Sequence, residues 1–554
     1  MYTSLTRVSS VFVCTVLATF ASVANAETLL VHNVRVYTPV GREIRTYAGF
    51  VVENGKVTSL LSPEAALPSL PKAHRLDGGG KTVLPGLIDA HGHVLSLGQE
   101  QLQVDLRGSE SIPAATERVR KFSQANPANR WVIGNGWNQV LWPDKQFPTA
   151  KDLDAVVADR PALLSRVDGH AVWVNSLAIK AAGITRATQD PPGGQIVRNA
   201  SGEPTGVLVD AATALVEKQV PTPTDEELRK ALFVAMTQLA SVGLTGVHDA
   251  GVDVRTYDAY RALGTANQLP IRIYAMLADS KEARPVIQQG PKPDLFNDHL
   301  QLRAVKAWVD GALGSRGASL LADYSDQPHH RGLMLYSPEQ IQELGGIAAR
   351  YGWQLNIHAI GDAGNRLALD TFEQQFTNEQ RQKLRPRIEH AQVITLQDIP
   401  RFAKLGVIAS MQPTHATSDM NMAEDRIGAE RIKGAYAWRT LLNSGARLAF
   451  GSDFPVELPN PFLGLYAAIT RQDRDGHPPG GWYPQQKLTR EEALRLFTLD
   501  TAYAGHMEQQ VGSLEPGKWA DFIVIDRDYF KAPESEIDDI KVEATYVAGV
   551  RVTP

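Results

Sequence analysis

Eight short apolar runs recur along the middle of the chain, at residues 82–90, 244–249, 271–277, 304–308, 354–358, 387–389, 407–411 and 447–450, with helical stretches between most of them. Runs this short suit strands covered on both faces better than buried helices. Short strands alternating with helices build a parallel sheet, because each return to the same edge needs a crossover. Eight such units predict a closed (β/α)8 barrel. One crossover is plain in the segment 223–241: Thr224 can cap a helix, Asp225, Glu226 and Glu227 fill its first turn, and Leu228, Leu232, Ala235 and Leu239 share a face. The rhythm breaks once. The gap between the first run, ending near His93, and the second, starting at Leu244, is far too long for one crossover, so residues at about 97–220 are read as an insertion. An insertion there emerges at the C-terminal face of a barrel, where active sites sit, and is expected to form a lid or substrate wall.

The two ends have a different texture. Alternating runs and the Asn54-Gly55 turn signal over 28–82, and similar runs over 512–554, predict antiparallel strands. The fold expected is therefore an α/β TIM barrel over 83–500, with the insertion after barrel strand 1. A β-sandwich satellite domain is formed by both chain ends, 27–82 and 501–554. Residues 1–26 read as a secretory signal: Arg7 is the sole charge, 11–21 is mostly apolar, and Ala24-Asn25-Ala26 fits the small-x-small cleavage pattern. An exported chain is expected, periplasmic in a Gram-negative source and otherwise secreted. Its only cysteine, Cys14, lies in that segment, so any metal is held by nitrogen and oxygen. A net charge of −5 leaves no footprint for nucleic acid, and no later run is long enough to span a membrane.

Chemistry concentrates where the apolar runs end. In a strand, residues two apart share a face, so His91 and His93 in Asp89-Ala90-His91-Gly92-His93 can aim two imidazoles at one point, half of a metal site. Lys306, His358, His390 and Asp453 stand at or just beyond the ends of later runs. Four histidines and a carboxylate suit a divalent metal, zinc first, with iron, manganese or cobalt as alternatives. An ammonium has no lone pair, so Lys306 cannot ligate as it stands; a buried ion pair or a Schiff-base lysine are the other readings. Arg316, in the loop after the lysine strand, either clamps substrate or pairs with Asp310. Trp137 and His170 in the insertion are candidates to stack on a substituent or polarise a carbonyl, and His415 is a candidate substrate contact. Trp137, Trp142, Trp173 and Trp438, if near the site, would favour an apolar or aromatic substituent.

These motifs resemble the amidohydrolase superfamily, in particular the amidohydrolase-3 group that includes N-substituted formamide deformylases. The resemblance covers nearly the whole chain after residue 26 and includes Gly517-Lys518-Trp519-Ala520-Asp521, Asn135-Gly136-Trp137 and Asp168-Gly169-His170. It implies six metal ligands, His91, His93, Lys306, His358, His390 and Asp453, and one or two metals per chain, with Lys306 carboxylated so that its two carbamate oxygens bridge a metal pair. Coordination lowers the pKa of bound water to about 7, and Asp453 would act as general base. The function implied is hydrolysis of a small-molecule amide, a non-peptide C–N bond of the N-formyl or N-acyl amine kind. A carbamate, cyclic imide or lactone is the alternative substrate, and a catalytically silent metal- or ligand-binding protein is a further one. The partner implied is a small molecule; assembly as a homo-oligomer is left open.

Overall fold

The computed structural model describes residues 28–553, so the expected signal segment, with Arg7 and Cys14, lies outside the described residues. Eight parallel strands stand side by side in chain order: Leu87–Gly92, Leu244–Val252, Arg272–Ala278, Leu300–Trp308, Gln354–Ala359, Arg387–His390, Ile408–Met411 and Arg447–Phe450. These are the predicted barrel strands, and the expected barrel with a satellite domain is the architecture found. Between the eighth and first strands the joining bonds run through a side chain: the Asp89 carboxylate accepts from Ser452 N (3.1 Å) and Ser452 Oγ (2.6 Å). Asp453 N then donates to His91 O at 2.7 Å. Gly451 permits this approach, because a Cβ there would lie 2.3 Å from Asp89 Oδ1 and 2.6 Å from His91 N. The crossover helix Asp225–Ser241 carries the expected Thr224 cap, reinforced by Glu227 reaching back to the cap backbone.

The satellite is one eight-stranded sheet built from both ends of the described chain, with Phe522–Ile525 between Thr82–Pro85 and Val542–Val547. The predicted Asn54-Gly55 turn has both residues at positive φ (53° and 77°) and joins Glu43–Glu53 to Lys56–Leu61. The sheet curls on itself: Val57 N donates to Lys518 O at 2.9 Å, and Phe50 meets Phe522 edge-on at 5.1 Å. One expectation needs correction. The run 82–90 is not a single barrel strand, because Thr82–Pro85 pairs within the satellite and only Leu87–Gly92 enters the barrel. Both sheets bury this stretch on both faces, so the apolar pattern hides the crossing; Gly86 marks it, where a Cβ would fall 2.1 Å from Thr245 Oγ1. The two units are fastened by Arg272 and Asp521, a bidentate pair (2.7 and 3.0 Å) whose side chains are each 3% exposed.

The insertion folds as a six-stranded sheet between Val104 and Asp210 with the helix Ile112–Ala125 against it. It has its own apolar core, in which the rings of Trp137, Trp142 and Trp173 lie within 6.4 Å of one another, Trp173 edge-on to the other two. Each indole N–H donates to a backbone carbonyl: Leu164, Ser109 and Thr149 respectively. Among the described residues no helix is long and apolar enough to cross a membrane.

Candidate metal centre

Two histidines of the first strand set the geometry. Alternation along Leu87–Gly92 turns Ala90 away and His91 inward, and the chain then bends so that His93 stands at the head of the helix Val94–Gln101. His91 Nδ1 lies 2.5 Å from Glu389 Oε2, and His93 Nδ1 lies 2.8 Å from the Ala250 carbonyl. His390 Nδ1 lies 2.8 Å from Gln412 Oε1. All three partners are acceptors, so in each neutral ring Nδ1 carries the proton and Nε2 keeps a bare lone pair. His415 Nε2 and Asp453 Oδ1 are buried and have no hydrogen-bond partner, whereas His358 Nε2, also without a hydrogen bond, lies 3.6 Å from Asp310 Oδ1.

These bare donors converge. His91, His93 and Asp453 offer ligand atoms within 4.8 Å of one another, and so do His390, His415 and Asp453. His93 Nε2 and Asp453 Oδ1 face each other at 3.0 Å. Two lone-pair acceptors at that distance repel unless a cation or proton lies between them. The all-nitrogen-and-oxygen donor set, its pre-fixed tautomers and its unpartnered buried atoms therefore fit a divalent metal. Lys306 Nζ sits 3.3 Å from His91 Nε2, and the His358 ring lies 4.5 Å from that of His390. All six predicted ligands are thus gathered at the C-terminal mouth of the barrel, and His415, proposed from sequence as a substrate contact, stacks on His390 at 5.9 Å.

Burial governs the charges. Desolvation, then the charge on Lys306, pushes His91 down to about 4 and His358 down to about 3, so both are neutral at pH 7. Desolvation also draws Lys306 down to about 8. Burial would raise Asp453, but the imidazoles of His93, His91 and His415 hold it at about 2. The backbone is strained here: His390, Ala391 and Asp453 have φ of 72°, 45° and 63°. Left-handed conformations cost a non-glycine residue about 1–2 kcal/mol, and here they turn side chains from the ends of the sixth and eighth strands toward the centre. Beside His358 Nε2, the buried Asp310 carboxylate accepts from Ser319 N, Ile360 N and Gly361 N (2.7–2.9 Å) and pins the following loop over the fifth strand.

A model of the amidohydrolase family matches residues 76–553, which takes in barrel, insertion and satellite together. The chain belongs to the amidohydrolase family. Protein LONG AFTER FAR-RED 3 of Arabidopsis thaliana is 35% identical over 489 residues, 86% of this chain and 83% of the relative. The N-substituted formamide deformylase of Arthrobacter pascens is 28% identical over 542 residues, 94% of this chain and 97% of the relative. Among solved structures, an uncharacterized metal-dependent hydrolase from Pyrococcus furiosus superposes with a TM-score of 0.76 at 29% identity, over 91% of this chain and all of that one.

Within this amidohydrolase, four expectations from sequence meet a different arrangement. Trp137 does not reach the site, because it is fully enclosed in the insertion core; Trp142, Trp173 and Trp438 are likewise 0–1% exposed, so none can stack on a substrate. Arg316 does not pair with Asp310; Nη2 and Nε reach Asp326 at 2.8 and 3.1 Å. His170 lies on the exposed surface of the insertion, bonded to Asp210 at 2.8 Å. Conversely, sequence reading passed over Glu389, Arg387, Gln412 and Asp89, which hold the ligands from behind. The signal was present: Arg387 and Glu389 flank Ile388 on a short buried strand, which places two charges on one inward face.

Proposed function

We propose that this amidohydrolase hydrolyses the C–N bond of a small-molecule amide, of the N-formyl or N-acyl amine class, at the His91–His93–Asp453 centre. The observation that carries this reading is Asp453 itself, a buried carboxylate whose unpartnered Oδ1 faces His93 Nε2 at 3.0 Å and whose oxygens cluster with ligand atoms of His91, His93, His390 and His415. His91, His93, His358, His390 and Asp453 would hold a divalent ion, zinc first, and Lys306 joins them once its Nζ has added CO2, losing a proton to become a carbamate. Such an ion supplies Lewis acidity toward a carbonyl oxygen and makes water more acidic.

The residues supply the rest. Asp453 Oδ2 accepts a proton from the attacking water as its oxygen bonds to the amide carbon. As the tetrahedral adduct collapses, the same oxygen returns the proton to the leaving nitrogen, so the amine departs neutral and the acid remains. His415 Nε2 lies 3.6 Å from Asp453 Oδ2, and with a proton on that nitrogen the ring would donate to the incoming carbonyl oxygen. The strained backbone at Asp453 keeps the carboxylate aimed without reorganisation during the reaction. The leader is removed on export, to the periplasm in a Gram-negative cell.

The test pairs metal analysis with substrate screening on protein purified without chelator or affinity nickel. One or two equivalents of metal and turnover of N-formyl or N-acyl amines are expected. Activity confined to carbamates, cyclic imides or lactones would replace the amide reading, and metal-free protein after exposure to zinc and bicarbonate would overturn the centre.

A further inference from the structure

Beneath the gathered donors lies a fully buried ion pair that the proposed chemistry leaves unused. Arg387 and Glu389, both with 0% exposed side chains, point into the barrel from the sixth strand. Arg387 Nε and Nη2 donate to Glu389 Oε1 and Oε2 at 2.8 and 3.0 Å. Nη2 also donates to Ala90 O and Ser410 Oγ (2.7 and 2.8 Å), and Nη1 lies 2.8 Å from His248 Nδ1. The guanidinium thus ties together the first, second, sixth and seventh strands. Burial would raise Glu389, but Arg387 and the His91 ring hold it ionised, well below the usual carboxylate range.

A buried ion pair of this kind adds little stability over an apolar substitute of the same shape, so its place under the site calls for another account. Glu389 Oε2 receives His91 Nδ1–H at 2.5 Å, leaving His91 Nε2 to face Asp453 Oδ1 at 3.7 Å. The comparable partners of His93 and His390 are a backbone carbonyl and a neutral amide. His91 is therefore the one of these three whose Nδ1 partner bears a full charge, and a charged acceptor makes the opposite nitrogen the stronger donor to a cation.

We infer that Glu389, clamped by Arg387, is a positioning residue that fixes His91 as an Nε2 ligand and strengthens the centre's hold on its metal. This rests on the metal-centre reading above. Two measurements test it. In metal-free wild-type protein carrying 15N-labelled histidine, the two-bond 1H–15N pattern of His91, assigned by its loss in H91Q, should show a protonated Nδ1 and a bare Nε2; an Nε2–H ring overturns the inference without any variant of Glu389 having to fold. In Glu389→Gln, which keeps the shape and an acceptor oxygen but removes the charge, zinc affinity measured against a chromophoric chelator should fall roughly 10–100-fold. Folded E389Q binding zinc within about twofold of wild type would refute the positioning role while leaving the centre intact. Wild-type protein that binds no zinc overturns both.

Discussion

Replacing Asp521 with alanine removes one half of the buried pair that joins barrel to satellite. Arg272 keeps only its Nη1 bond to Asn297 O (3.0 Å), and its Nε and Nη2 lose their acceptors in a site 3% exposed. Breaking a buried pair from one side costs about 3–5 kcal/mol, because the remaining charge stays desolvated. Asp521 Oδ1 also accepts from Ala548 N at 2.8 Å, so a backbone donor is orphaned for about 1 kcal/mol more. We expect Asp521→Ala to lose roughly 4–6 kcal/mol in urea unfolding followed by circular dichroism. Tryptophan fluorescence gives a local readout, because Trp519 lies under the Arg272 guanidinium at 5.2 Å. The double variant Arg272→Met/Asp521→Leu should recover most of the loss, since no charge is then stranded. A single-variant loss under about 1 kcal/mol would show that the pair behaves as a solvated one and refute the reasoning.

Further outcomes are open to direct measurement. Asp453→Asn should keep its fold and metal while kcat falls at least about 100-fold on whichever amide is turned over; an unchanged kcat removes Asp453 from proton transfer. His91→Ala should lose metal by plasma mass spectrometry and should lose the thermal stabilisation that added zinc gives wild type, since a ligand binding only the folded state stabilises it. Trp137→Ala should destabilise the insertion by about 3–5 kcal/mol, seen as a separate early unfolding step, whereas a substrate-stacking tryptophan would raise KM with no such step. His170 is raised above its ordinary value by the bond to Asp210 and the charges of Asp210 and Asp168. A raised value in the folded state means its stabilising contribution is present below the unfolded pKa, near 6.5, and is lost as pH rises through the folded value. An NMR titration of His170 that returns to the ordinary value in Asp210→Asn checks this.

The barrel was readable because its strands are apolar, short and separated by helices, a pattern that few architectures share. The six gathered side chains were readable because each stands within three residues of a strand's C-terminal end, so position and residue type agreed at His91, His358 and Asp453. Reading failed where one residue type serves two environments. Tryptophan signals stacking surface and core alike, and Trp137 is core because its N–H found the Leu164 carbonyl inside the insertion. Arg316 has three acidic residues within ten positions, Asp310, Asp323 and Asp326, and chain distance favoured Asp310; the backbone N–H groups of Ser319, Ile360 and Gly361 had already claimed that carboxylate. The supporting residues Glu389 and Gln412 lie on neighbouring strands of the closed barrel, and which face they share with His91 and His390 emerges only from register.

The interleaved satellite sheet also sets a clock on biosynthesis. Thr82–Pro85 leaves the ribosome roughly 440 residues before its neighbour Phe522–Ile525, a delay of roughly 20–90 s at about 5–20 residues per second. Through that interval one edge of the first-made β-segment is open, with unpaired N–H and C=O groups that another chain could join. Chaperone occupancy of nascent chains should peak in that window and collapse when the last forty residues emerge. A chain stopped before Phe522 would then hold all six candidate ligands but keep an unclosed, aggregation-prone edge along Thr82–Pro85.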